Sequence, residues 1–224
     1  MTRLALFDID GTLVRTGGAG VRAFAKTFAN EFRIRDATRG LNFSGRTDPS
    51  LVRECFQKHR IPVTTENFEH FFGVYPHWLV QYLNELPGGP CPGVFNLIDK
   101  LLCLPNPPTL GLLTGNIRLG AELKLRHHGL WEFFELGAFS DEHEDRHQLA
   151  AIAHDRGARV RKAKIQPSEV LVIGDTPLDV ACGKAIGAKT LAVATGSFSV
   201  SELAACKPDF VLEDLTQFSQ THLV

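Results

Sequence analysis

The sequence predicts a parallel α/β sheet covered by helices on both faces, with an all-helical segment inserted near its start. Apolar runs of strand length (Leu4–Phe7, Thr109–Leu113, Glu169–Ile173 and Thr190–Ala194) alternate with stretches of helix length. They lack polar alternation, as in strands buried on both faces. Between residues 15 and 86 no alternating strand pattern occurs, while apolar residues recur at helical spacing.

The elements follow in order. Leu4–Phe7 is the first strand; it stops on Asp8, Ile9 and Asp10, and Gly11 lets the chain turn. Val21, Phe24, Ala25 and Phe28 mark a helix ending near Phe32. Asp48 as N-cap and Pro49 at the first helical position open a second helix through Leu51, Val52, Cys55 and Phe56. A third runs from Thr65 to Leu86, its Phe68, Phe71, Phe72, Tyr75, Leu79 and Leu83 forming core. Residues 87–93 are rich in Pro and Gly and form the return hinge. Helices over 94–104, 117–128, 146–156, 177–186 and 200–206 then alternate with strands at 109–113, 136–139, 169–173, 190–194 and 210–211. Residues 1–14 and 88–224 form the α/β core, and 15–87 the helical insert.

With 224 residues the chain is long enough for a sizeable core, and its 44% apolar and 22% charged content is that of a soluble globular protein. The net charge of -1 gives no field that favours nucleic acid or an anionic membrane, so an anionic substrate needs a local cluster of donors. Cys55, Cys91, Cys103, Cys182 and Cys206 are scattered without a C-x-x-C pair, which points to free thiols in a reducing cytoplasm. The chain shows no signal peptide and no apolar run of the ~20 residues that a membrane span needs. Its glycines at 17, 18 and 20 do not form the dinucleotide fingerprint.

Residues at successive parallel-strand ends share one rim, where open α/β sheets bind ligands. Asp8, Asp10 and Asp175 meet there as an oxygen-rich site suited to a hard cation such as Mg²⁺. Asp179 lies one helical turn past Asp175 on the same side; as an alternative, Thr176 and Asp179 form a capping box. Thr114, Gly115 and Asn116 lie where a strand ends and a helix begins. Free N–H groups and the helix dipole favour an anion there, and helix capping by Thr114 or Asn116 is the competing use. A carboxylate can attack phosphorus, and a second can protonate the leaving group and later activate water.

Phe7–Leu13, Leu113–Asn116 and Ile173–Asp179, in that order, resemble the first, second and fourth motifs of the haloacid dehalogenase superfamily. Pro92-Gly93-Val94 and Ala194-Thr195-Gly196 are similar to its phosphoglycolate-phosphatase-like branch. The resemblance implies a three-layer α/β/α Rossmann-like core with a small α-helical cap. It implies a Mg²⁺-dependent phosphatase acting on a small phosphorylated metabolite, phosphoglycolate-like or a sugar phosphate, through an aspartyl-phosphate, in a monomer or homodimer.

By the same resemblance, Asp8 is nucleophile and Mg²⁺ ligand. Asp10 is acid/base and offers its backbone carbonyl to the metal. Thr114, Gly115 and Asn116 hold the phosphate, and Asp175 and Asp179 serve the metal. An aspartate at position 10 favours phosphatase over dehalogenase. A phosphosugar mutase, betrayed by isomer formation without phosphate release, and a catalytically weak binding protein, betrayed by inactivity across an ester panel, are the competing functions.

The family's third-motif lysine is missing. Ser140–His147 carries Arg146 instead, the best substitute, with Lys162 or Lys164 as alternatives. His143-Glu144-x-x-His147 matches a zinc-protease pattern, but its segment is polar all round and starts in a loop, so it is set aside. In the insert, Arg46 in the loop before the second helix is the candidate for pairing with a second anionic group of a substrate.

Overall fold

The structure is a computed structural model that describes residues 1–223. Its elements in chain order are β1 (Leu4–Phe7), β2 (Val14–Arg15), α1 (Ala19–Glu31), α2 (Asp48–Lys58), α3 (Thr65–Glu85), β3 (Gly89–Pro90), α4 (Val94–Leu102), β4 (Thr109–Leu113) and α5 (Arg118–His127). β5 (Leu136–Ala138), α6 (Arg146–Val160), β6 (Val170–Gly174), α7 (Pro177–Ala185), β7 (Lys189–Val193), α8 (Val200–Ala205) and β8 (Phe210–Leu212) complete the chain.

The sheet has six parallel strands in the order β5-β4-β1-β6-β7-β8, so β1 lies between β4 and β6 at its centre. Alternation along β1 divides the core. Ala5 and Phe7 face α4 and α5 with Leu97, Ile98 and Leu125. Leu4 and Leu6 face α6 and α7 with Leu149, Ala153 and Cys182. A strand apolar at every position is what a sheet covered on both faces requires. All five cysteines are free thiols. Among the described residues no helix is long and apolar enough to cross a membrane.

Helices α1, α2 and α3 pack on one another around Phe24, Phe28, Leu51, Phe56, Phe71 and Tyr75. The Phe71 ring lies 4.8 Å from the centroids of both Phe24 and Phe28. Ile117, at the start of α5, joins this cluster from the sheet side. The chain enters and leaves the helical layer through a two-stranded antiparallel ribbon pairing Val14 with Pro90 and Arg15 with Gly89. The return hinge is therefore tied, and two residues per strand are too few to leave a pattern in the sequence.

Two elements differ from expectation. The N-cap of α2 is Thr47, and Asp48 is its first helical residue. The Asp48 carboxylate accepts from the backbone N–H of Ile117 at 2.9 Å, a donor with no partner inside α5. A long-range acceptor has replaced a local one. Helix α6 continues to Val160, one turn past the expected end.

Candidate active site

The carboxyl ends of β1, β4 and β6 open into one cavity of about 390 Å³. Its floor carries Asp8, Asp10, Thr114, Gly115, Asn116, Arg146 and Asp175; its helical side carries Val21, Phe24, Phe43, Leu51 and Tyr75. The volume falls within the roughly 300–1,000 Å³ of small-molecule sites.

Asp8 follows β1 directly, and its backbone N–H donates to Ile173 O at 2.9 Å, extending the ladder to β6. Ligand oxygens of Asp8, Asp175 and Asp179 all lie within 4.8 Å of one another, and all three residues are buried. Burial, followed by the neighbouring charge of Asp179, pushes the pKa of Asp8 well above the carboxylate range. The same two causes, joined by Asp8, push Asp175 up further. Carboxylates gathered this way call for a cation.

Asp175 is positioned from three sides. The Thr12 hydroxyl donates to it at 3.0 Å. Gly11, at φ +88°, and Gly196 lie so close that a Cβ on either would come within 2.4 Å and 1.7 Å of its Oδ2. Asp179 takes part in a capping box with Thr176, whose N–H and hydroxyl donate to its Oδ2 at 3.0 and 2.6 Å. Its Oδ1 takes Arg146.

Arg146, the first residue of α6, is buried with its guanidinium among these acids. It donates to Asp179, to Asp8 at 3.4 Å, to Leu113 O at 3.3 Å and, across the cavity, to Gly45 O at 3.1 Å. Burial works against its charge, but Asp179 and Asp8 outweigh that and raise its pKa. Lys162 and Lys164 lie elsewhere: Lys164 O accepts from Arg3, which precedes β1, so that end of α6 faces the amino rim of the sheet.

Asp10 opens into the same cavity but does not join the acid cluster. Its Oδ2 accepts from Lys124 at 2.6 Å and from Asn116 at 2.8 Å. Lys124 also donates to Asn116 Oδ1 at 2.6 Å, so one buried ammonium fixes both residues. Thr114 accepts from the Asn116 N–H and amide; neither residue caps α5. The N–H groups of Ile117 and Arg118 that were expected to be free are taken by Asp48 and Asp141. An anion here would meet the Thr114 hydroxyl and the Gly115–Asn116 segment instead.

Arg46 lines the cavity, yet its guanidinium pairs with Glu54 at 2.5 Å and reaches Ser50 O at 3.4 Å. The His143/His147 pattern builds no centre among the described residues: His147 is exposed, and Glu144 pairs with Arg53 of α2 while its carbonyl accepts from Thr47. Sequence reasoning missed Lys124, Asp48, Thr12 and Arg15. Lys124 had a signal: it shares the apolar stripe of Ala121 and Leu125, where a lysine needs a buried acceptor.

Acids collected on the carboxyl rim of a six-stranded parallel sheet, facing a helical layer across a small-molecule cavity, form a site suited to a hard cation and an anionic ligand. The family model described as HAD-hydrolase-like, where HAD stands for haloacid dehalogenase, matches residues 147–218. The chain is 27% identical over 194 residues to the bifunctional riboflavin kinase/FMN phosphatase of Arabidopsis thaliana, covering 86% of this chain but only 48% of that protein. It is 27% identical over 217 residues to pyrophosphatase PpaX of Bacillus mycoides, covering 94% and 92% of the two chains. The crystal structure of CbbY from Rhodobacter sphaeroides in complex with phosphate superimposes with a TM-score of 0.77 over 100% of this chain and 99% of that one, at 18% identity. Over residues 147–218 the chain is thus similar to haloacid-dehalogenase-like hydrolases, over most of its length it is similar to a pyrophosphatase, and it shares the fold of CbbY.

Proposed function

We propose that the chain is a Mg²⁺-dependent phosphatase that hydrolyses a small phosphomonoester, phosphoglycolate-like or a sugar phosphate, by way of a phosphoryl group carried on Asp8. One observation carries this reading: a buried carboxylate at the end of the central strand opens into a small-molecule cavity beside a buried guanidinium and two further acids. The names of the relatives, a pyrophosphatase and an FMN phosphatase, support small phosphorylated compounds as the substrate class, the second of them a phosphomonoester.

The donor set fits a hard divalent cation. Asp8 and Asp175 would hold it through carboxylate oxygens and Asp10 through its backbone carbonyl. Both oxygens of Asp179 already have protein donors, which favours Asp179 as a support for Arg146 and the α7 cap. Mg²⁺, when bound, supplies Lewis-acid neutralisation of phosphate charge.

The chain's own residues do the rest. Asp8 Oδ attacks phosphorus while Asp10 gives its proton to the departing alcohol oxygen. Water then attacks the phosphorus, Asp10 takes its proton, and the bond to Asp8 breaks. Arg146, Thr114, Gly115 and Asn116 stabilise the phosphoryl oxygens. Lys124 and Asn116 hold the Asp10 carboxylate toward the leaving group. Residues 15–87 act as a cap domain that excludes bulk water when it meets the core.

Phosphate release from a panel of phosphomonoesters with Mg²⁺ tests the reading. The wild-type chain cleaves at least one ester, and Asp8→Asn lowers kcat by about 10³-fold or more. An Asp8→Asn variant that keeps a substantial share of the activity overturns the mechanism.

A further inference from the structure

Four cations line the cavity: Arg15, Arg46, Lys124 and Arg146. Three are neutralised by the protein itself. Arg46 sits on Glu54, Lys124 on Asp10, and Arg146 on Asp8 and Asp179. Arg15 differs. Its Nε and Nη2 both donate to one neutral acceptor, the carbonyl of Thr195, at 2.8 and 2.6 Å. Among the described residues no carboxylate lies within ion-pair reach of it.

The guanidinium is also held in place. Thr195 is buried, and its hydroxyl donates to Gly11 O at 2.5 Å, in the turn that shapes the site around Asp175. At the other end of the side chain, the Arg15 backbone belongs to the β2–β3 ribbon, where it pairs with Gly89. With Nε and one hydrogen of Nη2 committed, the Nη1–Nη2 edge remains available. That edge is the planar fork that meets a carboxylate or phosphate through two parallel hydrogen bonds. A fixed, uncompensated cation at the wall of a substrate cavity loses little conformational freedom on binding an anion.

We propose that Arg15, rather than Arg46, is the specificity-determining residue of this site, and that the substrate is a phosphoester with a second anionic group, carboxylate or phosphate, that docks on the Nη1–Nη2 edge of Arg15. The inference rests on the phosphatase reading above. It gives the cavity two charged ends. The phosphoryl group to be transferred lies at the Asp8–Arg146 floor, and the second anion lies where the ribbon enters the helical layer.

The test compares three esters of similar size in the presence of Mg²⁺: glycerol 3-phosphate, 3-phosphoglycerate and glycerol 1,3-bisphosphate. The readout is the ratio of kcat/KM for each doubly anionic ester to that for glycerol 3-phosphate. In the wild-type chain at least one ratio exceeds tenfold; the arm that does so tells carboxylate from phosphate. Arg15→Gln lowers that ratio at least tenfold, mainly through KM, while Arg15→Lys keeps part of it and Arg46→Gln leaves it in place. Wild-type ratios near one overturn the assignment without any variant, as does an Arg15→Gln variant with the wild-type ratio. A wild-type chain that cleaves none of the three, nor any ester of the wider panel, overturns the phosphatase reading and this inference with it.

Discussion

At the scale of single residues, the site is governed by which buried charge meets which partner. Asp48 shows this away from the acid cluster. Burial raises its pKa to about 6, although Lys124 and the N–H of Ile117 pull the other way. Its ordinary value is 3.8, so between pH 3.8 and 6 the folded chain holds more protons than the unfolded one. The contribution of Asp48 to stability therefore falls as pH rises through that window, and above it the full cost of an ionised buried acid is present. Asp48→Asn keeps an acceptor for Ile117 without the charge. We expect it to be more stable than wild type at pH 7.5 by about 1–3 kcal/mol, with the difference fading toward pH 4. Thermal melts at the two pH values check this, and a variant less stable at pH 7.5 than at pH 4, relative to wild type, contradicts it.

At the scale of elements, strands and helix starts present the chemistry, and the helical layer answers from across the cavity. Helix α6 offers Arg146 from its first position, and α7 holds Asp179 through its capping box. The helical layer reaches the sheet through Asp48 on Ile117, Thr47 and Arg53 on Glu144, and Gly45 on Arg146. Beside these polar contacts Ile117 joins the apolar cluster from the start of α5, while α1, α2 and α3 hold one another through a core of rings. Phe71 lies at its centre, fully buried between Phe24 and Phe28. Phe71→Ala is expected to cost about 3–5 kcal/mol of stability, read by denaturant unfolding. A cost below about 1 kcal/mol would mean that these helices do not depend on their shared core.

At the scale of the whole molecule, the layers were legible because each rests on a local pattern. Leu4–Phe7 and Val170–Gly174 are apolar without alternation, and only a sheet covered on both faces accommodates that. Asp8 and Asp175 were visible because an acid that ends such a strand has one place to go. Thr176, Pro177 and Asp179 announced their own helix start. What stayed hidden was the choice of partners made when the helical layer meets the sheet. Nothing near Arg46 in the sequence says that Glu54 will claim it, and nothing near Arg15 says that a carbonyl 180 residues away will anchor it. Asp48 had every feature of a local cap and instead serves the start of α5. Long-range pairings of this kind follow from the packed layers, which propensity and spacing do not encode.

In the proposed reaction the phosphoryl group passes through Asp8. Acid quenching of the chain during turnover of a ³²P-labelled substrate ester, followed by peptide mapping, reads this directly. An acid-stable, hydroxylamine-sensitive label is expected on the peptide that contains Asp8. Phosphate released with no label on that peptide at any quench time, or a label on another residue, would contradict it.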